Sequence, residues 1–254
     1  MAVKIAIANQ KGGVGKTTTA LAIASNLISR GYKVLMIDTD SQRNTSNVYK
    51  AETIDVPTLY DIIFANYDPN EVIQTTEYGD IIPSDVALQN ADTEIKPSPK
   101  MYRYLQKAVA KIEDKYDFII YDTPPKAGVL LGNVLMDAQW VICPITCDTF
   151  GVQGIMDFYS TVAEYQEDNE DLRILGLLKV MYKSNQNLTR DIEEHTLPMY
   201  AREMHSKVFK SAIRESVKVK EAQTLGKPLF EYAPHSNAGL DYDALVDEIL
   251  EEVM

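Results

Sequence analysis

Residues Lys11-Gly12-Gly13-Val14-Gly15-Lys16-Thr17-Thr18 carry the densest chemistry in this 254-residue chain. They follow the apolar run Val3-Lys4-Ile5-Ala6-Ile7-Ala8, so a strand runs into a glycine-rich loop that opens a helix. The spacing meets the phosphate-cradling pattern G-x-x-x-x-G-K-[ST] once its first glycine is relaxed. Gly12, Gly13 and Gly15 permit positive φ and let backbone N–H groups close on phosphate oxygens. The helix start that follows offers unpaired N–H groups and a dipole that favours anions. Lys16 is then placed for the β- and γ-phosphates and the Thr17 hydroxyl for Mg²⁺. The implied ligand is a nucleoside triphosphate, cradled from Gly12 to Thr18.

Two carboxylate sites complete the set. Lys33-Val34-Leu35-Met36-Ile37-Asp38-Thr39-Asp40 is an apolar run ending in two aspartates. Tyr116-Asp117-Phe118-Ile119-Ile120-Tyr121-Asp122 is another, followed by Thr123-Pro124-Pro125. Apolar runs that terminate in Asp suit buried parallel strands whose C-terminal ends meet a ligand. The second has the form of a Walker B strand, which sets Asp122 near Mg²⁺, through water. Mg²⁺ keeps several waters, so nearby carboxylates need not bind it directly. The alternative for each aspartate is a cap or turn residue after a strand.

Together these motifs resemble the deviant Walker A ATPases, the group that contains ParA/Soj partition proteins, MinD, nitrogenase iron protein and the arsenical-pump ATPase. Asn9-Gln10 ahead of the loop is similar to the N-Q-K-G-G-V-G-K-T of ParA proteins. Asp38-Thr39-Asp40-Ser41-Gln42-Arg43-Asn44 resembles their D-x-D-P-Q-x-N, with Ser41 in place of Pro. The stretch Ala138 to Pro144 resembles their next strand. Glu221-Ala222, Gly226-Lys227-Pro228-Leu229 and Tyr232 to Ser236 resemble their E-A-x-x-x-G-K-P-I-x-x-Y-x-P-x-S. Ile213-Arg214-Glu215-Ser216 departs from the I-P-R-N often found there. The resemblance runs from about Val3 to the end of the chain.

The resemblance implies a weak, Mg²⁺-dependent ATPase that binds ATP and ADP. Asp40 would orient the attacking water, while Thr17, Asp38 and Asp122 serve the metal. In that family the lysine at the position of Lys11 reaches the phosphates of a partner subunit, which implies an ATP-sandwiched homodimer; a solvated surface lysine is the alternative. Adenine contacts are implied around Lys179 to Tyr182, with Met181 among them, and around Pro234 to Asn237, with Pro234 and Ser236. The implied cellular role is DNA partition. A dimer binds duplex DNA non-specifically and is released by hydrolysis that a ParB-like centromere-binding partner stimulates. The protein would be cytoplasmic and nucleoid-associated. The competing role is MinD-like positioning of a protein or membrane-surface cargo without DNA.

The elements that position these residues alternate. Strands are expected near 3–9, 33–38, 79–83, 117–122, 139–145 and 173–181. Helices are expected near 16–30, 57–65, 99–114, 127–137, 151–167, 186–203, 214–224 and 240–252. Such alternation gives an α/β fold with a doubly wound, mostly parallel sheet. The resemblance makes it a P-loop NTPase of the deviant Walker A type. The length suits one domain over 1–254. Asn44 to Asp55 is polar and expected to be a mobile switch-like loop. No apolar run is long enough to span a bilayer, no signal peptide is evident, and no N-terminal helix-turn-helix extension is expected.

Other members of the group fit less well. Cys143 and Cys147 are the only cysteines, on a segment matched by non-redox relatives, so a shared cluster is not expected. The fifteen tyrosines are scattered, unlike a C-terminal tyrosine-kinase cluster. The C-terminal stretch 240–254 is amphipathic but acidic, so anionic lipid would repel it, and Leu240, Leu245, Ile249 and Val253 are expected to pack on the sheet. The chain carries a net charge of −12, yet six basic and two acidic residues lie between Arg202 and Lys220, a local +4. Lys207, Lys210, Arg214, Lys218 and Lys220 are therefore the candidate DNA contacts, against the alternative of a solvated charged face. We expect Lys11→Ala to retain nucleotide binding and lose most hydrolysis, since charge supplied in trans is worth orders of magnitude in rate. Equal steady-state turnover of variant and wild type would remove Lys11 from the reaction.

Overall fold

The computed structural model describes residues 1–95, 101–152, 154–183 and 191–254. Eight strands form one sheet in the order β3-β4-β2-β5-β1-β6-β7-β8. They are β1 (Val3–Ile7), β2 (Val34–Asp38), β3 (Gln74–Thr76), β4 (Gly79–Ile82), β5 (Phe118–Asp122), β6 (Trp140–Thr146), β7 (Arg173–Tyr182) and β8 (Val208–Arg214). All pair in parallel except β3, which runs antiparallel to β4. The expected doubly wound, mostly parallel sheet is present.

The principal helices are α1 (Lys16–Ser29), α2 (Asn44–Val48), α3 (Leu59–Ala65), α4 (Tyr104–Val109), α5 (Val129–Asp137), α6 (Ile155–Gln166), α7 (Leu197–Glu203), α8 (Val217–Thr224) and α9 (Asn237–Val253). Alternate residues of each central strand feed two apolar layers, as the pleat requires. Phe118 and Ile120 of β5 join Ile23 and Leu27 of α1 and Leu245 and Ile249 of α9 on one face. Ile119 and Tyr121 join Leu105, Val109, Val134 and Phe158 on the other. In α1 the buried Ala20, Ile23, Ala24 and Leu27 recur at helical spacing.

Several expectations are corrected. The sheet gains two strands at its edges. β3 has only three residues, and β8 carries exposed Lys210 and Arg214, so neither shows a strong apolar run. The helix expected from 214 starts at Val217, because Ser216 caps it by accepting from Lys218 N. Asn44 to Asp55 is not all loop: its first residues form α2, with Thr45 and Ser46 fully buried. The helices expected over 99–114 and 186–203 fall partly on residues outside those described; the described parts are helical over Tyr104–Val109 and from Ile192 to Glu203. α9 begins earlier than expected, at Asn237, capped by Ser236. Leu245 and Ile249 are buried as expected, whereas Leu240 is 50% exposed.

One polar network lies within the apolar layers. Lys4 Nζ bonds Asp137 at 2.8 Å and Glu113 at 3.1 Å, and the Tyr121 hydroxyl donates to Asp137. The Asp137 side chain has no exposed surface. Removing one partner of a buried ion pair strands the other. Lys4→Met should therefore cost about 3 kcal/mol of stability, measured as a lower urea midpoint by circular dichroism, with Mg·ATP affinity retained. A midpoint equal to wild type would show that Asp137 needs no cation.

Candidate functional site

The glycine-rich loop hangs from the C-terminal end of β1 and ends at α1. Gly13 (φ 75°) and Gly15 (φ 76°) take left-handed backbone, which an L side chain would strain. Gly12, which the sequence also permits to take positive φ, does not; its flank faces Pro125, 4.0 Å from where a Cβ would stand. Val14 contributes only backbone, since its side chain is buried. Asn9 anchors the loop: its Nδ2 donates to Pro144 O at 2.8 Å and its Oδ1 accepts from Lys11 N at 2.9 Å. Lys16 is 7% exposed, and its Nζ donates to the Lys11 carbonyl at 3.0 Å. Burial lowers its pKa, opposed by Asp122 and Asp40.

Strand register sets the carboxylates. Asp38 of β2 pairs directly with Asp122 of β5, and both side chains are fully buried. Burial raises both above the usual carboxylate range. Asp122 repels Asp38, while the Thr45 and Thr17 hydroxyls pull Asp122 back down. Asp38 Oδ1 accepts from Asp40 N at 3.1 Å; its Oδ2 accepts from Ser46 N at 2.8 Å and Ser46 Oγ at 2.7 Å. Asp38 thus shapes the segment that follows it. Asp122 Oδ2 accepts from Thr45 Oγ1 at 2.7 Å, and its Oδ1 is buried without a hydrogen-bond partner. That open oxygen, beside the Thr17 hydroxyl, fits a hard cation such as Mg²⁺. Among the described residues no group of three His, Cys, Asp or Glu side chains can hold a metal alone.

Asp40 is 9% exposed and accepts from Gln42 N at 3.0 Å. It lines a cavity of about 530 Å³ together with Gly12, Gly13, Gly15, Lys16, Thr17 and Thr18. The far end of this cavity is walled by Val180, Met181 and the run Ile213 to Ser216. Met181, expected at adenine, is present there in left-handed backbone (φ 50°) and is 47% exposed. Pro234 and Ser236 are not among its lining residues: Ser236 Oγ accepts from Gly239 N as the cap of α9. Lys179 points elsewhere, onto Glu193 at 2.6 Å.

The basic segment divides. Arg214 and Lys220, expected at DNA, line the same cavity as the loop. Arg214 is clasped by Asp241 of α9, Lys207 by Glu252 and Lys218 by Glu221. Lys210 is exposed, and its backbone N–H goes to Glu248. The local +4 is therefore largely answered by acids from α8 and α9, which composition within the segment does not reveal. Sequence reasoning also missed Gln223, whose Nε2 donates to Thr18 Oγ1 at 2.8 Å, and Tyr242, whose hydroxyl meets Thr19 Oγ1 at 3.0 Å. Both line the cavity from distant helices. Cys143 and Cys147 form no disulfide, and burial pushes their thiols up to about 12 and about 11, so neither is a reactive thiolate.

A glycine-rich loop on a helix start, a lysine inside it and a Walker B aspartate at the C-terminal edge of a parallel sheet define a P-loop ATPase. A family model described as AAA domain matches residues 2–174. The sporulation initiation inhibitor protein Soj of Bacillus subtilis is 35% identical, covering 96% of this chain and 97% of that protein. The chromosome-partitioning ATPase Soj of Treponema pallidum is 32% identical, covering 95% and 94% respectively. Among solved structures, cobyrinic acid a,c-diamide synthase of Mycobacterium smegmatis with bound ATP analog and magnesium gives a TM-score of 0.84 at 27% identity, covering 99% of this chain and 95% of that one. The chain belongs to the ParA/Soj family of partition ATPases.

Arg214 supplies a direct check on the cavity. Arg214→Ala should weaken Mg·ATP binding about fivefold in the absence of DNA, the loss of roughly one hydrogen-bonding contact, read by isothermal titration. Unchanged nucleotide affinity would leave Arg214 as a surface cation only.

Proposed function

We propose that this protein is a DNA-partition ATPase that switches between nucleotide-dependent assemblies. The observation that carries the reading is Lys11. It opens the phosphate loop, its carbonyl holds Lys16, and its ammonium stands 3.9 Å from Asp148 in a half-exposed pair. Such a pair holds a side chain weakly, so the ammonium is available to the phosphates of a second copy. Two copies face to face would each complete the other's site.

In this reading Lys16 exchanges its carbonyl for the β- and γ-phosphate oxygens. Asp40 orients the attacking water at the cavity wall. Thr17 and Asp122 would hold Mg²⁺, which neutralises charge between the phosphates when bound. Asp38 keeps the Asp40–Ser46 segment in place behind them. Lys11 of the second copy stabilises the charge that develops at the γ-phosphate. Hydrolysis is slow until a ParB-like partner completes or tightens this arrangement, and the protein is cytoplasmic and nucleoid-associated.

DNA binding is non-specific and follows from doubling a basic face. Lys207, Lys210 and Lys218 are the outward cations, with Arg214 and Lys220 nearer the nucleotide. Counterion release scales with phosphates neutralised, so two faces bind where one does not. The MinD-like alternative needs a C-terminal helix free to lie on lipid. Here Leu245, Val246 and Ile249 of α9 are fully buried against the sheet, which favours the DNA reading. Fluorescence anisotropy with random-sequence duplex DNA tests it. Binding should appear with Mg·ATP, vanish with Mg·ADP and fall steeply with salt. Intact ATP hydrolysis with no binding in any nucleotide state would overturn the DNA role.

A further inference from the structure

α9 joins the two parts of the molecule that the proposed function connects. One side bonds α1: Asn26 Nδ2 donates to Asp243 Oδ1 at 3.0 Å, and Arg30 pairs with Asp243 and Asp247. The other side places Asp241, Glu248 and Glu252 along β8. β8 is an edge strand, whose outward N–H groups need acceptors. Glu248 accepts from Lys210 N at 3.0 Å and Ser211 N at 2.7 Å, and Asp241 from Arg214 N at 2.9 Å. These two carboxylates have a structural task.

Glu252 has none of that kind. Its recorded bond is to Lys207 Nζ. The two side chains keep 35% and 49% of their surface exposed, so solvent and ions reach the pair. Glu248, on the same helix, adds a second negative charge that Lys207 feels. A carboxylate offers an ammonium the same oxygen acceptors as a phosphodiester.

Resting on the DNA reading above, we infer that the acidic stripe of α9 is a built-in competitor for the DNA backbone, with Glu252 occupying the cation Lys207 that a phosphate would otherwise take. Lys207 reaches DNA only by leaving Glu252, so the number of ion pairs is unchanged by the exchange. The affinity of the basic face is thereby held below what its cations alone would give, which eases release once the second face is lost on hydrolysis.

The test compares Glu252→Gln, Glu251→Gln, Lys207→Gln and the Lys207→Gln/Glu252→Gln double variant in anisotropy titrations with random-sequence duplex and Mg·ATP. Glu251 is exposed, one residue away, and in no ion pair among the described residues, so it controls for net charge. Glu252→Gln should tighten binding about threefold, the scale of an exposed pair. It should also steepen the salt dependence by about one phosphate contact. Glu251→Gln should change affinity less and leave the slope alone. In the Lys207→Gln background the Glu252→Gln gain should vanish, and DNA-free ATPase of the two single glutamate variants should equal that of wild type. Equal effects of the two glutamate variants, or a gain that survives without Lys207, would overturn the inference while the DNA reading stands. No binding by wild type in any nucleotide state would overturn the DNA reading and this inference with it.

Discussion

Asp38 and Asp122 stand side by side because β2 and β5 pair in register, and the rest of the site answers that placement. Two fully buried carboxylates repel each other and lose hydration, so each needs donors or a cation. The chain supplies donors unequally. Asp38 takes three, all from the segment that follows it, and so fixes Asp40 and the start of α2. Asp122 takes Thr45 on one oxygen and keeps the other open beside Thr17. One aspartate organises the segment after it, and its neighbour keeps one buried oxygen unpaired.

The same constraint explains why 44–48 is ordered. A polar run after a strand has the composition of a loop, and its polarity alone gives it no reason to fold. Thr45 and Ser46 are nonetheless fully buried, because their hydroxyls are the nearest donors to the two carboxylates. Ser84 extends the chain of bonds: its N–H reaches Ser46 Oγ at 2.9 Å and its hydroxyl reaches Asp40 O at 2.7 Å. Buried polar groups joined in this way stiffen one another. The wall that carries Asp40 is therefore tied to the edge of the sheet through β4 and its following turn.

Sequence made legible what depends on local pattern. The strand–loop–helix at Lys11 to Thr18 and the two apolar runs ending in aspartate are local, and each landed at the C-terminal edge of the central strands. Residues whose role depends on long-range packing were not legible. Gln223 and Tyr242 reach the cavity from helices more than 200 positions beyond the loop in sequence. β8 was hidden because an edge strand with lysine and arginine on its open side lacks a continuous apolar run. Arg214 and Lys220 looked like surface cations for the same reason. Only the packing of β8 beside β7, and of α8 after it, shows that they line the same cavity as the loop. Pro234 and Ser236 sit in a motif whose visible task here is to start α9. A Cβ at Gly239 would lie 2.3 Å from Pro234 O, so the turn is pressed against the helix rather than opened toward the cavity.

α9 is then more than a cover for the sheet. Its apolar face fills the core beneath α1, which holds the phosphate loop. Its carboxylates grip Arg30 on α1 and the amides of β8 on the opposite flank. Tyr242 on that helix touches Thr19, two residues beyond Thr17. Arg214 at the end of β8 is held by Asp241 while lining the cavity. A change in how the loop is occupied therefore bears on a helix that also sets the posture of the basic edge. The coupling needs no long relay, because α9 touches both α1, which follows the phosphate loop, and β8. Energetic linkage between two sites is reciprocal where it exists, and α9 is the element that touches both the helix of the phosphate loop and the basic edge.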